Sequence, residues 1–329
     1  VRWFHNVLWF GNLTEKDATK EGSRVRHTEI RNIEGTGSWV WTYYMDSEAD
    51  DGFNISGLIP FRDSLLIMKP KRTAMIVGSS RQDFGIFNYD NMVGSPAHRS
   101  MQEYYGRLWH LGEKALFSFD GTYNISYSDD IQDIIDSINK ANLYKSASCI
   151  WADKYHITVP IGQTYPNTTI VYDYRNNSFT KYTGINASCF AHFKPANEEF
   201  LYFGESNAGK VYRLFTGYSD NGANITASFE TGKKFTGEPN WINDVRHMWV
   251  EAKGNASDTL KIYYRFDEDQ TYSPSGGWTF DLSKRFDMFT FPEGSFGRTI
   301  QFKIENSSTL SPFEFFGFMI NKSRRRPFS

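Results

Sequence analysis

The chain has 329 residues, 40% apolar and 22% charged, enough apolar surface for one large or two ordinary packed domains and inconsistent with overall disorder. A net charge of −2 argues against a strongly basic nucleic-acid binder, and no apolar run reaches the roughly 18 residues of a membrane span. Two cysteines, Cys149 and Cys189, cannot build a disulfide framework. The first residue is Val1 rather than Met, so the lack of a signal-peptide pattern decides little. Aromatic residues make up 17%, and such rings suit the half-buried surface of a pleated sheet, which predicts β structure.

In chain order, alternation dominates and long helical periodicity is nearly absent. Strands are predicted over 39–44, 65–68, 74–77, 107–110, 115–119, 155–159, 169–174, 178–182, 200–203 and 210–215. Asp120-Gly121, Asn176-Asn177 and Asn207-Ala208-Gly209 punctuate them, residues that accept positive φ cheaply in short hairpins. One segment departs from this pattern. Ile131, Ile134, Ile135 and Ile138 share a helical face, with Ser128 as N-cap and Asp129, Asp130 and Asp133 in the first turns, which predicts a short surface helix used for packing.

A repeat is visible: Ala147-Ser148-Cys149 recurs forty residues later as Ala187-Ser188-Cys189, each copy followed by three strand candidates. Roughly 40 to 50 residues for four strands is the period of a propeller blade, a sheet that must lean on its neighbours to bury both faces. After about residue 217 the strands lengthen, over 224–231, 245–252, 259–266, 285–291, 297–304 and 312–320, the spacing of an antiparallel sandwich. The sequence therefore predicts an all-β chain: propeller blades over 1–217, then a C-terminal β-sandwich over 218–329.

The search for chemistry finds little. Asp46, Glu48, Asp50 and Asp51 imitate the start of a calcium loop, but Gly57 stands where the bidentate Glu is required, and no metal is expected. The seven histidines (5, 27, 98, 110, 156, 192, 247) show no zinc spacing, and His110 and His156 read as ordinary sheet residues. Ser118-Phe119-Asp120-Gly121-Thr122 resembles the Asp-box turn of sialidases without its spacing or its Trp, so a β-turn is the better reading. No nucleophile elbow or phosphate-cradling glycine loop is present, and no cofactor is expected. Ten Asn-x-Ser/Thr sequons start at Asn12, Asn54, Asn124, Asn167, Asn176, Asn186, Asn224, Asn255, Asn306 and Asn321, and several fall in predicted turns that favour these residues anyway.

The stretches 55–67, 116–126 and above all Tyr202-Phe203-Gly204-Glu205-Ser206 with Gly209–Leu214 and Gly217–Gly222 resemble the propeller-bearing tail nozzle (hub) proteins of short-tailed bacteriophages. That resemblance implies a non-enzymatic virion protein: a homo-hexameric ring in the tail, contacting an adaptor or portal-type ring and tail fibres, with DNA passing through its lumen without sequence recognition. Members usually extend further at the N-terminus, whereas this chain opens mid-strand at Arg2–Phe10, which leaves the blade number open and allows a propeller incomplete at that end.

Against this stands a carbohydrate-binding or carbohydrate-cleaving propeller with an accessory sandwich, in which Trp109, Trp151 and Trp278 are candidate sugar platforms. A glycosylated extracellular module is a third reading. The basic run Arg324-Arg325-Arg326 is a solvated tail or a contact for an anionic partner.

Overall fold

Each β-prone run ends in a two-residue turn or a short polar loop, and the runs pair antiparallel with their sequence neighbours. The computed structural model describes residues 1–14, 18–29, 42–196, 198–306 and 312–327. They form two compact units, Val1–Leu214 and Phe215–Ser329.

The first unit is a β-propeller. Five successive sheets make its blades. Blade 1 comprises Arg2–Phe4, Val7–Thr14, Lys20–His27 and Tyr44–Asp46; blade 2, Gly57–Phe61, Ser64–Lys69, Arg72–Val77 and Gly85–Asp90. Blade 3 comprises Gln102–Tyr104, Arg107–Leu111, Leu116–Phe119 and Asn124–Ser126; blade 4, Ala147–Trp151, Lys154–Val159, Thr168–Asp173 and Ser178–Thr183. Blade 5 has three strands, Ala187–Phe193, Phe200–Glu205 and Val211–Arg213. First strands abut between blades 1 and 2, 3 and 4, and 4 and 5, so they are the inner strands. The predicted strand 39–44 falls partly outside the described residues, and Tyr44 opens the last strand of blade 1.

The repeated Ala-Ser-Cys triplets open the inner strands of blades 4 and 5. Small side chains suit the crowding there: Ala147 and Ala187 are buried.

Blades shelter each other as the fold requires. Phe4, Val7, Trp9 and Val25 of blade 1 pack with Leu65, Ile67 and Ile76 of blade 2. Phe61, Leu66 and Met75 of blade 2 pack with Leu108 and Phe119 of blade 3. A third core joins Trp109, Leu111 and Leu116 of blade 3 to Tyr155, Ile157, Ile170 and Tyr172 of blade 4. At roughly 1.5–3 kcal/mol for each large apolar side chain removed from water, these seams dominate the unit's cohesion.

The isoleucine segment belongs to the third seam. Asp129–Ile131 is a 3-10 turn and Gln132–Asp136 a single helical turn, with Ile131, Ile135 and Ile138 buried between blades 3 and 4. Ser128 does not cap it. The buried Ser128 hydroxyl instead accepts the Leu116 N–H at 3.1 Å, because the strand end offers an orphan donor in a dry setting.

The second unit is an antiparallel sandwich. One sheet holds Ala227–Glu230, Lys234–Phe235, Thr299–Asn306, Thr259–Phe266 and Ser273–Asp281; the other holds Phe286–Thr290, Trp241–Lys253, Phe296–Gly297 and Glu314–Pro327. Strict alternation in Thr259–Phe266 and Thr299–Asn306 sends Leu260, Ile262, Ile300, Phe302 and Ile304 into one core with Met248, Val250 and Phe280. No helix among the described residues is long and apolar enough to cross a membrane.

Candidate functional site

The inner hairpins give the propeller two chemically different ends. Each inner strand of blades 1 to 4 turns into its neighbour through two residues: His5-Asn6, Arg62-Asp63, Tyr105-Gly106 and Ala152-Asp153. Positive φ at His5 and Asn6, at Tyr105 and Gly106, and at Ala152 and Asp153 is the type I′ geometry that matches strand twist. Ala152 and Asp153 hold it at φ 49° and 57° without a glycine, at a cost of order 1 kcal/mol each. The turns are tied together. Arg62 Nη2 donates to the Gly106 carbonyl at 3.1 Å, and the Tyr104 hydroxyl donates to the Asp153 carbonyl.

On this turn end two tyrosines from different blades meet. Tyr105, in the inner turn of blade 3, stacks on Tyr174, in the outer turn of blade 4, with centroids 4.9 Å apart and planes 15° apart. They are 54% and 39% exposed, so the pair faces solvent. Tyr104 meets both rings edge-on, at 4.5 and 6.2 Å, and buried Trp109 meets Tyr174 edge-on at 6.4 Å. Beside the rings, Arg175 bridges two partners: it pairs with the Asp153 carboxylate and donates to the Tyr105 hydroxyl, which together hold its guanidinium pKa above its usual value.

Two further acids on this end are engaged. Asp173 meets Lys154 at 3.2 Å. Asp120 accepts the Thr122 and Tyr123 N–H groups at 2.8 and 2.9 Å, the β-turn expected from the imperfect Asp-box, and those bonds hold its pKa below the usual carboxylate range. A flat apolar face with a carboxylate and a guanidinium at its edge can take a ligand that presents C–H on one face and hydroxyls at its rim.

The candidate tryptophans lie elsewhere. Trp109 is fully buried between blades 3 and 4, so it backs the exposed Tyr174 instead of offering a platform itself. Trp151 is half-buried on the inner strand of blade 4, 5.7 Å from the His192 ring. Trp278 stacks on Phe289 at 5.3 Å and packs against the sandwich core. Arg324, Arg325 and Arg326 are not a free tail in their backbone: they continue the last strand, with Arg324 opposite Asn243 and Arg326 opposite Ile242.

Of the four acids that imitate a calcium loop, Asp46, Glu48 and Asp51 are taken by cations. Asp46 pairs with Arg24 at 2.8 Å, Glu48 with Arg72, and Asp51 with Lys69 at 2.9 Å. Three sequon asparagines use their amide nitrogen inside the fold, Asn124 to Asp90, Asn167 to the Ile161 carbonyl and Asn306 to the Thr259 carbonyl.

No protein-family model matches this chain, and no curated protein matches it. Solved structures similar to it include sugar-cleaving enzymes. A glycoside hydrolase aligns over 97% of this chain and 96% of its own, at 9% identity and a TM-score of 0.32. An exo-β-1,3-galactanase from Phanerochaete chrysosporium aligns over 96% of this chain and 78% of its own, at 10% identity and a TM-score of 0.29. A family 43 arabinoxylan arabinofuranohydrolase from Bacillus subtilis aligns over 96% and 93%, at 8% identity and a TM-score of 0.21. At these values no catalytic residue is carried across.

These comparisons correct the tail-nozzle resemblance, since none of the named structures is a phage tail component. The virion location, the conduit role and the exclusion of enzymatic activity are corrected with it. The shared stretches of strand and turn residues that carried the resemblance are what any propeller needs for hairpins, and they specify a blade without specifying its use.

Sequence reasoning missed Tyr105 and Tyr174 because it looked for platforms in strands. The available signal was an aromatic residue inside a turn, where burial is hardest to achieve: Tyr104-Tyr105-Gly106 and Tyr174-Arg175-Asn176. It also missed the outer face of the sandwich, where Trp249 lies between Met288 and Met319 on adjacent strands, all three exposed.

Proposed function

We propose that this protein recognises carbohydrate through the turn end of its propeller, with Tyr105 and Tyr174 as the stacking surface and Asp153 and Arg175 as hydroxyl partners. The observation that carries the reading is the solvent-facing ring pair from two blades, edged by an ion pair and braced from behind by Tyr104 and Trp109. A pyranose ring has the matching surface: axial C–H groups over an aromatic face, and vicinal hydroxyls that a carboxylate and a guanidinium bind in pairs. The strained Ala152-Asp153 turn supports the same reading, since such strain persists where the surroundings fix a group for use.

The test is a glycan microarray probed with the full chain and with a Tyr105→Ala/Tyr174→Ala variant, followed by a reducing-sugar assay on every glycan bound. Selective binding that disappears in the variant supports the reading, and sugar release would add cleavage to recognition. Binding to no glycan, or binding that the variant retains in full, overturns it.

A further inference from the structure

The last strand of the sandwich leaves a long edge open. Residues 247–251 of the central strand pair with Phe286–Thr290 on one side and with 317–321 on the other. Glu314–Pro327 therefore borders its sheet, and among the described residues no strand pairs with its outer edge. A border strand presents unpaired N–H and C=O groups, and folded proteins usually blunt it with charge, proline or brevity. Here the stretch Phe315-Phe316-Gly317-Phe318-Met319-Ile320 carries neither charge nor proline.

The two faces of this strand differ. Phe315, Phe318 and Ile320 pack against the sandwich core, whereas Met319 is 70% exposed on the outer face, in one row with Trp249 and Met288. Gly317 stands on that outer face opposite Glu251, with open space where a side chain would begin. Glu314 and Lys322 are exposed at either end of the uncharged stretch, and neither has an ion-pair partner among the described residues.

We propose that two copies of this chain associate edge to edge through this strand, antiparallel about a two-fold axis at Phe318. A sheet extended in this way must keep core-facing residues on one side, which admits only registers that join residues of like face. With Phe318 at the axis, Met319 of each copy stands opposite Gly317 of the other and fills the space that the glycine leaves. The same register sets Glu314 of each copy across from Lys322 of the other, so opposite charges close both ends of the paired stretch. Main-chain bonds supply the attraction and the side-chain match fixes the register, as in strand addition generally. The stretch from Glu314 to Lys322 is about 30 Å long. That is a narrow contact beside the roughly 800 Å² per partner of a standard interface, so the dimer is reversible, with a micromolar dissociation constant. This inference concerns the sandwich and does not rest on the carbohydrate reading.

The test is sedimentation velocity of the full chain from about 1 to 200 µM, a range that brackets micromolar association. It is joined to zero-length carboxyl–amine cross-linking of a mixture of light and isotopically heavy protein. A concentration-dependent shift from monomer to dimer is expected, with a heavy–light cross-link between Glu314 and Lys322. Within one chain these residues stand about 27 Å apart along the strand, beyond the reach of such a link. Met319→Lys sets two ammonium groups side by side at the axis and should weaken the dimer about tenfold or more. Its melting temperature should not change, because the side chain is exposed. Glu314→Lys should weaken the dimer about threefold or more, and Glu314→Lys/Lys322→Glu should restore it, since the double swap re-pairs both ends. A monomer at every concentration, or a dimer that Met319→Lys and Glu314→Lys both leave unchanged, overturns the proposal.

Discussion

Replacing Lys69 with Met should unseat the join between blades 1 and 2. Lys69 ends the second strand of blade 2, and its ammonium is 2% exposed. Nζ lies 2.6 Å from the Ser47 carbonyl, 3.0 Å from the Glu48 carbonyl, 3.0 Å from Ser23 Oγ and 2.9 Å from both Asp51 oxygens. Asp51 is equally buried, and its other cation, Arg72, stands 3.3 Å away on a side chain 30% exposed. Methionine fills the stem's volume but leaves the Asp51 carboxylate dry and short of its main partner. Breaking a buried pair from one side costs about 3–5 kcal/mol, far more than a surface ion pair contributes. For a unit of this size, that corresponds to a fall of roughly 6–20 °C in the melting temperature of the propeller. Differential scanning calorimetry reads it, and Lys69→Met/Asp51→Asn should recover much of the loss because no charge is then stranded. A single variant that melts within about 2 °C of wild type would refute the reasoning, because it would mean the pair is wet or already satisfied by Arg72.

Acid should weaken the propeller before its carboxylates titrate. Burial holds the imidazoles of His110 and His156 at about 4, below the ordinary value of 6.5. Between pH 6.5 and about 4 the unfolded chain therefore binds a proton on each of these two histidines that the folded chain does not. Stability should drop as pH falls through that window, by about 1.4 kcal/mol per pH unit for each histidine, and level off below it. Urea titrations from pH 7 to 4 check this, and His110→Gln should lower the slope by about 1.4 kcal/mol per pH unit. The two thiols should separate cleanly in a disulfide-exchange assay. Cys189 is exposed and should react in the native protein, whereas burial pushes the Cys149 thiol up to about 12 and should protect it until the chain unfolds.

Strands were legible wherever apolar residues alternate or run together over several positions. Leu65–Met68, Tyr155–Val159 and Thr259–Phe266 fall inside observed strands because burial on one face or both leaves the pattern in the residues themselves. The Ala-Ser-Cys triplets marked equivalent places, the starts of the inner strands of blades 4 and 5. Three-residue strands such as Gln102–Tyr104 and Asn124–Ser126 were not legible, since they are too short to show alternation. Ser128 and the isoleucines give a finer case. The periodicity was right, but the segment's apolar face is buried between two blades, and this depends on contacts distant in sequence. The candidate sites failed for the same reason. Whether a ring such as Trp109 or Tyr105 is core or surface is decided by which blade lies next to it, and nothing local to the residue records that.

The most direct test of the central claim is the affinity of the full chain for the best-bound glycan, measured by isothermal titration against Tyr105→Ala, Tyr174→Ala and Asp153→Asn. The account predicts a loss of about tenfold or more for each tyrosine variant, in line with a lost aromatic contact of 0.5–1.5 kcal/mol plus the ring area no longer buried, and a smaller loss for Asp153→Asn. Unchanged affinity in all three variants, with the fold intact, would contradict it.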